Sequence, residues 1–542
     1  MRKLLFVSSA LVWIVAGIVP VFAQKAQPPR PVNVSTCFNC HPEIKDFHTA
    51  GKHARVNCYH CHEALDLHLK DSKIKPPTRT DHATCGKCHR EQYESFFSPN
   101  LESRAKVEKA TFKSRSPLFD KLSMPHPFTK EHDEPRSHIF ALMDHLTVDR
   151  AYGGRFQLID WTRISDAKGA EKSLWKILID KEPTTSEQKN FILQSATAAN
   201  PVCLQCKSQD HILEWKYLGD KDPRARWDRT SKVVELVRNL SHPVNCYMCH
   251  DPHSAQPRIV RDALIQAIVD RGEGTYPYNK EKSKKTTVKK VMLRDDFRAV
   301  GLLNKPDSNI MCAQCHVEYN CNPGHMGFDP ETEQKITMED RRTNLIQWVN
   351  VFDYQKRMEE IKFKDFKHTI TGASLNKLQH PETETFWGSR HERAGVECKD
   401  CHMPRVKRGG KIYTWHGQRS ARYMLKDTCV RCHPWTEKEA EYQVDAIQNY
   451  IKGKITKAEF WLGQFIDTYA KAKAAGVPED TLKEARKMHD TAHIYWEWWT
   501  AENSDGFHNP EAARESLARS IDTSQKGIKL LNDAMAGGAK SK

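Results

Sequence analysis

Residues 201–207 read PVCLQCK, with two cysteines three positions apart and a lysine directly after the second. Seven other stretches have the same spacing but end in histidine. Cys-x-x-Cys-His is the attachment signature of a c-type haem, in which both cysteines form thioethers to the porphyrin and the histidine ligates the iron. The seven histidine motifs are Cys37, Cys40 and His41; Cys58, Cys61 and His62; Cys85, Cys88 and His89; Cys246, Cys249 and His250; Cys312, Cys315 and His316; Cys398, Cys401 and His402; and Cys429, Cys432 and His433. We therefore expect eight haems, of which the fourth, on Cys203 and Cys206, has a lysine where the others have a histidine.

The cysteine count allows two other interpretations. The chain has 17 cysteines, of which the eight pairs use all but Cys321. Exported proteins often hold cysteines in disulfides, and cysteine pairs also bind zinc. Zinc spacing does not require a histidine directly after each pair, and chance would give roughly 0.03 such motifs in this composition. Haem attachment is therefore favoured.

The remaining histidines supply candidates for the second axial ligand of each iron. Of the 27 histidines, seven belong to the motifs, which leaves 20. An iron with a histidine on both sides passes electrons but cannot bind a substrate. The candidates for this second position are His53, His68, His132, His138, His253, His391, His416, His493 and His508. For each of them the alternative is a surface histidine or one bonded to a haem propionate.

Lys207 indicates a different kind of haem. An amine ligates iron only when deprotonated, a form that burial and the metal favour over the ammonium ion. Unlike imidazole, an amine has no π system to share with iron, so the opposite position can stay open for a substrate. The alternatives are a motif that has lost its haem and holds a disulfide, or a haem that is ligated by another residue.

The chain divides by composition into five segments. Residues 1–23 combine a short basic start, an apolar run and small residues, which is typical of a secretory signal peptide; an uncleaved membrane anchor is the alternative. Residues 24–35 are rich in Pro and Gln and predict an extended arm. We expect the octahaem catalytic body over 36–435. Helical periodicity predicts a bundle of long helices over 436–535, followed by a disordered tail at 536–542.

These features predict a mainly α-helical, multihaem cytochrome c fold with little β structure. Hydrophobic residues make up only 39% of the chain, so the porphyrins are expected to supply much of the apolar interior. The signal predicts a periplasmic protein, to which nucleic acid is not accessible. The net charge of +15 suits a small anion or an acidic redox partner; a basic surface that only confers solubility is the alternative.

Three stretches resemble the ammonia-forming cytochrome c nitrite reductases: Cys-x-x-Cys-Lys at 203–207, CAQCHVEY at 312–319 and KLQHPE at 377–382. Eight motifs with the lysine in the fourth resemble the octahaem branch of that family, which is related to the pentahaem enzymes and to hydroxylamine oxidoreductase. The stretches that also resemble this branch are VDRAYGGRF at 148–156, EYNC at 318–321 and WEWWTAENSDGFHNP at 496–510. The resemblance covers nearly the whole mature chain.

The resemblance implies a set of catalytic residues. Lys207 is implied as the proximal ligand of the catalytic haem. The residues implied around the substrate are Arg150, Tyr319 and His380, with Gln379 and Cys321 beside them. Taken singly, each has an ordinary alternative, such as a propionate partner for Arg150 or a core position for Tyr319.

A calcium site and a cross-link are also implied by the resemblance. The ligands of a structural Ca²⁺ would be Glu318, Tyr319, Lys377 and Gln379, with Tyr319 and Lys377 contributing backbone oxygens, and such hard oxygen donors suit this ion. In the octahaem enzymes that the chain resembles, the residues matching Tyr319 and Cys321 are joined by a thioether. A free buried cysteine is the alternative for Cys321.

The activity that the resemblance implies is the six-electron reduction of nitrite to ammonium, with hydroxylamine and possibly sulfite as further substrates. The implied partners are a membrane quinol-oxidising cytochrome or another electron donor, and copies of the chain in a trimer or hexamer. Three alternatives remain: an octahaem enzyme that oxidises hydroxylamine or hydrazine, a tetrathionate reductase, and an electron-transfer cytochrome without catalysis. Lys207 argues against the first, because those relatives keep a histidine in the fourth motif.

Overall fold

The computed structural model describes residues 31–97, 118–123, 138, 200–232, 235–236, 239–240, 242–322 and 326–540. The predicted signal peptide and two predicted site residues, His132 and Arg150, lie outside the described residues. Within the described part the chain is mainly helical with a few short strands, which confirms the predicted fold class. In that part, no helix is both long enough and apolar enough to cross a bilayer.

Most helices are short and lie at or between the cysteine motifs. The helices whose bounds the structure describes are α1 (Val34–Phe38), α2 (Pro42–Ala50), α3 (Leu65–Lys70), α4 (His82–Gly86), α5 (Phe119–Leu122), α6 (Asp210–Glu214), α7 (Cys246–Cys249), α8 (Asp262–Ile265), α9 (Lys280–Lys285), α10 (Ser308–Cys312), α11 (Tyr354–Ile361), α12 (Glu382–Phe386), α13 (Arg390–Arg393), α14 (Cys398–His402), α15 (Cys429–Cys432), α16 (Glu437–Ala474), α17 (Glu479–Ala501) and α18 (Pro510–Lys540). The 3₁₀ turns are Cys58–His60, Pro201–Cys206, Tyr217–Gly219 and Ala421–Met424, and Gln266–Asp270 is a π turn.

Backbone contacts divide the chain into two units, whereas we expected one haem body over 36–435. The first unit comprises residues 1–40 and 56–79. Asn57 organises its described part, since its Oδ1 accepts a hydrogen bond from Tyr59 N (3.3 Å) and its Nδ2 donates to Val32 O (2.8 Å). Helix α1 already begins at Val34, inside the segment predicted as an extended arm.

The second unit, residues 41–55 and 80–542, contains a three-stranded antiparallel sheet in the order β1-β3-β2. The strands are β1 (Arg258–Ile259), β2 (Val288–Leu293) and β3 (Arg298–Leu303), and two hairpins add β4 (Phe366–Lys367), β5 (Ser374–Leu375), β6 (Arg405–Arg408) and β7 (Lys411–Thr414). Ile259 lies opposite Gly301 and Val291 opposite Val300. Strand β1 leads directly to Arg261, which is fully buried.

The last three helices, α16 to α18, pack against one another. A capping box starts α16, since Thr436 Oγ1 accepts from Glu439 N and the Glu439 carboxylate accepts from Thr436 N at 2.7 Å. Gly476 then takes the left-handed conformation at φ +76° that ends the helix, as its sequence position predicts. Helix α18 runs to Lys540, so residues 536–540 continue it, where we expected a disordered tail.

Candidate active site

The fourth motif lies in the 3₁₀ turn Pro201–Cys206, and all six of its residues are buried. Asn200 caps this turn, because its Oδ1 accepts hydrogen bonds from Val202 N at 3.0 Å and from Cys203 N at 3.3 Å. Its Nδ2 donates to Cys321 O at 2.6 Å. One buried side chain therefore fixes both the motif that ends at Lys207 and the loop that carries Cys321.

Tyr319 and Cys321 lie in the same hydrophobic cluster as this motif. Cys321 Sγ is 3.3 Å from Cys203 Sγ, and both cysteines are buried. Burial, reinforced by the Cys321 thiol, raises the pKa of Tyr319 well above its ordinary value. The phenol therefore stays protonated and can donate a hydrogen bond. The thioether between Tyr319 and Cys321 stays a prediction.

Arg261, which the sequence analysis did not single out, adds a buried cation. Its guanidinium lies 4.2 Å from the centroid of the Tyr319 ring and donates to Cys206 Sγ and to Gln314 O, both at 2.9 Å. The side chain is fully buried, and its Nε lacks a hydrogen-bond partner in the described part. Because a buried cation is costly without a counter-charge, this position favours an anionic ligand. A charged residue inside the apolar run IVRDALI at 259–265 is the signal that could have identified it.

The Cys206 thiol is where several predicted residues meet. Its Sγ lies 4.0 Å from Cys315 O in the sixth motif. The neighbouring Cys315, together with the positive charges of Arg261, Lys207 and His380, lowers the pKa of Cys206 well below its usual range. In the haem-loaded protein this sulfur would belong to a thioether and would not titrate. The contacts still show that Lys207 and His380 both lie near Cys206.

His380 faces two polar side chains. Its Nδ1 lies 3.4 Å from Asn503 Nδ2 and 3.8 Å from Glu382 Oε1. Glu382 Oε2 is in turn 3.4 Å from Nδ1 of His316, the histidine of the sixth motif. Burial would raise the pKa of Glu382, but the two histidines outweigh it and lower this pKa well below its ordinary value. The carboxylate is therefore ionised.

The predicted calcium ligands lie in a buried acidic environment. Gln379 N donates to Glu318 Oε2 at 2.6 Å, while Glu318 Oε1 is buried without a hydrogen-bond partner in the described part. Burial raises the pKa of Glu318 and Glu384 well above their usual range and that of Asp365 to about 7. Such a cluster of buried carboxyls is stabilised either by protonation, which removes the charges, or by a bound cation, which compensates them. These residues therefore fit the predicted calcium ion.

Among the described residues, no group of three or more His, Cys, Asp or Glu side chains has the geometry of a metal site. The predicted calcium site does not require such a group, because Glu318 is its single carboxylate and its other ligands are a side-chain amide and two backbone oxygens. Gln379 Nε2 donates to Lys377 O at 3.3 Å, so the side-chain amide and this backbone oxygen are in contact. The fit thus rests on oxygen donors that the sequence brings together from residues 318–319 and 377–379.

The side chain of Lys377 points to a second buried network. Its Nζ pairs with Glu497 Oε1 at 2.7 Å, and both residues are fully buried. Glu497 Oε2 is 2.8 Å from Nε2 of His493. Burial would raise the pKa of Glu497, but Lys377 and His493 lower it to about 2. This bond occupies one ring nitrogen of His493, while Nδ1 has no hydrogen-bond partner in the described part. Its role as a haem ligand stays a prediction.

Other predicted ligands do lie opposite motif histidines. Ring centroids are separated by 6.1 Å for His53 and His89, 6.1 Å for His138 and His316, 6.2 Å for His391 and His433, and 6.3 Å for His402 and His508. An iron bound to one nitrogen of each ring, with bonds of about 2 Å, holds the centroids about 6 Å apart. In addition, burial and the nearby His416 lower the pKa of His250 to about 4.

Most of these histidines use Nδ1 for a hydrogen bond within the protein. The contacts are His53 to Pro252 O at 2.8 Å, His68 to Ile74 O at 2.8 Å, His402 to Arg419 O at 3.0 Å, His416 to Thr414 O at 2.8 Å and His508 to Glu502 Oε1 at 2.7 Å. A proton held on Nδ1 by an acceptor leaves the Nε2 lone pair for a metal. The Nδ1 of His253 is 3.9 Å from Asp251 Oδ1.

The thiols show which motifs are neighbours. Cys85 lies near Cys246, Cys312 near Cys398, and Cys206 near Cys315, while Cys249 lies near Cys312 and Cys401 near Cys429. The third, fifth, sixth, seventh and eighth motifs thus follow one another, and the fourth adjoins the sixth.

The chain is similar in sequence to known cytochromes. The family model described as Cytochrome c552 matches residues 177–542. The cytochrome c nitrite reductase subunit NrfA of Nitratidesulfovibrio vulgaris is 26% identical over 447 residues, which are 78% of this chain and 70% of that protein. The cytochrome c-552 of Parabacteroides distasonis is 27% identical over 324 residues, 59% of this chain and 56% of the relative.

A solved structure has a similar fold. It is the catalytic subunit (NrfA) of the cytochrome c nitrite reductase from Desulfovibrio desulfuricans, described with two calcium sites. The two chains share 21% sequence identity with a TM-score of 0.58, over 84% of this chain and 87% of the other. The likeness supports the helical fold with its long C-terminal helices.

Proposed function

The chain belongs to the cytochrome c552 family, and on that premise we propose that it is an octahaem reductase that converts nitrite to ammonium. The reaction takes one nitrite, six electrons and eight protons and releases one ammonium ion and two waters. A reduced redox protein supplies the electrons through the haems. One observation carries the proposal: the motif with the lysine is also the one motif whose two cysteines are both buried.

The residues around this motif have distinct roles. A haem on Cys203 and Cys206, ligated by Lys207, would supply an open iron for nitrite and the electrons to reduce it. Arg261 adds fixed positive charge in a buried site, which suits an anionic substrate. Tyr319, held protonated by burial, and His380 donate hydrogen bonds and protons to the oxygen atoms that leave as water.

Other predicted residues complete this pocket. Arg150 is proposed as a second positive charge beside the substrate. Gln379 and Cys321 are proposed to hold His380 and Tyr319 in place, the latter through the predicted thioether. Glu318, Tyr319, Lys377 and Gln379 are proposed to bind a structural Ca²⁺, which would neutralise the buried Glu318 next to the pocket.

The remaining haems are proposed to conduct electrons. The axial pairs would be His89 with His53, His250 with His416, His316 with His138, His402 with His508, and His433 with His391. The spacing of the ring centroids supports four of these pairs. His68, His132 and His253 stay candidates for the first two motifs. The sixth haem would be the donor to the fourth, because their cysteines adjoin.

Further substrates and partners follow from the same premise. We propose that hydroxylamine is reduced too and that sulfite is a poorer substrate. The protein is proposed to act in the periplasm with a membrane quinol-oxidising cytochrome or another donor, as a trimer or hexamer. Its net charge of +15 favours an acidic donor surface.

The haem-loaded protein tests this proposal directly. We expect ammonium from nitrite with a reduced viologen as donor, and a high-spin signal in the resting spectrum that nitrite changes. A protein whose haems are all six-coordinate and indifferent to nitrite would be an electron-transfer cytochrome. Turnover with hydroxylamine as an electron donor, or with tetrathionate alone as acceptor, would instead favour the other two alternatives.

A further inference from the structure

We infer that Asn503 and Glu382 are positioning residues that fix the tautomer of His380 and link it to the haem of the sixth motif. The inference deepens the proposed function, because it rests on His380 as a donor to the substrate. It concerns residues from three segments: the KLQHPE stretch, the sixth motif, and the loop that follows α17.

The amide of Asn503 is held in one orientation. Glu382 Oε1 accepts from Asn503 Nδ2 at 2.7 Å and from Asn503 N at 3.3 Å. A carboxylate accepts only, so the amide must turn its NH₂ group, and not its oxygen, toward Glu382. Asn503 Oδ1 accordingly is buried with no hydrogen-bond partner among the described residues.

This orientation decides which nitrogen of His380 carries the proton. Asn503 Nδ2 is 3.4 Å from His380 Nδ1, so the second N–H of the amide is available to that nitrogen. The amide donor is nearer to Nδ1 than the Glu382 carboxylate, at 3.4 against 3.8 Å, so Nδ1 is the acceptor and the proton of the neutral ring lies on Nε2. The ring then presents an N–H donor on its other side, which is what a residue that protonates a bound oxyanion requires.

The same carboxylate reaches the proximal side of the neighbouring haem. Glu382 Oε2 lies 3.4 Å from His316 Nδ1. The contact is anchored, because Thr383 N and Oγ1 both donate to His316 O, at 3.1 and 2.5 Å. A carboxylate at Nδ1 makes an imidazole ligand more basic and stabilises the oxidised iron, which lowers its reduction potential. Glu382 thus acts on both the electron supply and the proton donor.

Two substitutions in the haem-loaded protein separate these effects. In Glu382→Gln the haem of the sixth motif should be reduced at a higher potential in a spectroelectrochemical titration. In Asn503→Leu the potentials should stay unchanged while kcat with nitrite falls about 10-fold with KM within about 2-fold, since only the donor is misplaced. Asn503→Asp, which turns the donor into an acceptor, should lower kcat at least as far.

The matched control is Asp490→Asn. Asp490 is a buried carboxylate that pairs with Lys364 at 2.6 Å in another part of the unit, and its substitution should change neither the potentials nor kcat. Unchanged potentials in Glu382→Gln together with unchanged kcat in both Asn503 variants would overturn the inference. A wild-type protein without nitrite turnover would refute the proposed function instead. In that case the reduction potential of the sixth haem in Glu382→Gln, compared with wild type, would still show whether Glu382 acts on His316.

Discussion

The fourth and fifth motifs start alike and differ in their surroundings. Asn200 and Asn245 each cap a short turn by accepting from a backbone nitrogen two residues on, at 3.0 and 3.1 Å. Both cysteines of the fourth motif are buried, whereas Cys246 and Cys249 are only partly so. The two motifs thus share the local conformation that would present two cysteines to a porphyrin. The motif with the lysine differs in that both of its cysteines are buried.

The burial of the fourth motif matters for its surroundings. It excludes bulk water, which strengthens the electrostatic effect of Arg261 on an anion. Lys207 itself, directly after the buried turn, is half-buried.

The strongest test of this contrast is Lys207→His. Imidazole would make the fourth haem resemble the others, so we expect nitrite turnover to fall at least about 100-fold and the high-spin signal to weaken. Ammonium production and the resting spectrum measure both effects. Lys399→His, which changes a lysine inside the seventh motif but not at the ligand position, is the control and should keep full turnover. Undiminished turnover in Lys207→His contradicts the proposal.

Calcium removal tests the acidic cluster behind the pocket. A carboxyl whose pKa is raised in the folded state destabilises the fold as pH rises from its unfolded to its folded pKa. For Asp365 this window runs from about 4 to about 7, and its ionisation costs on the order of 4 kcal/mol. We expect the chelated protein to melt at a lower temperature at pH 8 than at pH 5.

Added Ca²⁺ should remove most of that pH dependence, because the cation compensates the buried charges. Calorimetry with EGTA and with Ca²⁺ at both pH values measures it. Glu318→Gln removes one predicted ligand and should make the melting temperature insensitive to Ca²⁺. An equal response to Ca²⁺ in wild type and variant would rule out the predicted ligand set.

Arg261→Met tests the buried cation that faces Tyr319. Methionine keeps much of the volume but loses the charge and the bonds to Cys206 and Gln314, so we expect kcat/KM with nitrite to fall about 30-fold, equivalent to about 2 kcal/mol. Arg261→Lys should recover part of the lost kcat/KM, since lysine restores the positive charge but not the planar set of guanidinium N–H donors. Steady-state kinetics provide the comparison. A haem content equal to that of wild type guards against misfolding, and unchanged kinetics would assign Arg261 a purely structural role.

The smallest effect is expected from the two capping asparagines, which are both buried. Asn200→Ala loses its cap and the bond to Cys321 O, and Asn245→Ala loses its cap and the bond to Thr80 O. About 2 kcal/mol of stability is therefore expected to be lost in each variant. Differential scanning calorimetry of both variants measures the pair. A clearly larger loss in Asn200→Ala would show that the burial of its two cysteines adds to the cap.

Much of the fold could be predicted from the sequence because its signals are local. Helical periodicity predicted the long helices, and the structure shows that the start of α16 at the Thr436–Glu439 capping box and its end near Gly476 are local as well. The division into two units could not be predicted, since it depends on contacts of residues 56–79 that no motif reveals. The end of α18 was misjudged because small residues such as those in AGGAK at 536–540 do not forbid a helix that has already begun.

The sequence by itself determined the eight cysteine pairs, the single lysine and the candidate ligands, because a covalent attachment motif is a matter of spacing along the chain. Only the tertiary structure decided which histidines face each other, that Arg261 lies on Tyr319, and that Asn503 and Glu382 meet His380. Apart from Glu382, which is two positions from His380, these contacts join residues that are 36 to 178 positions apart. Their distances depend on how the whole chain packs, and no local pattern encodes them.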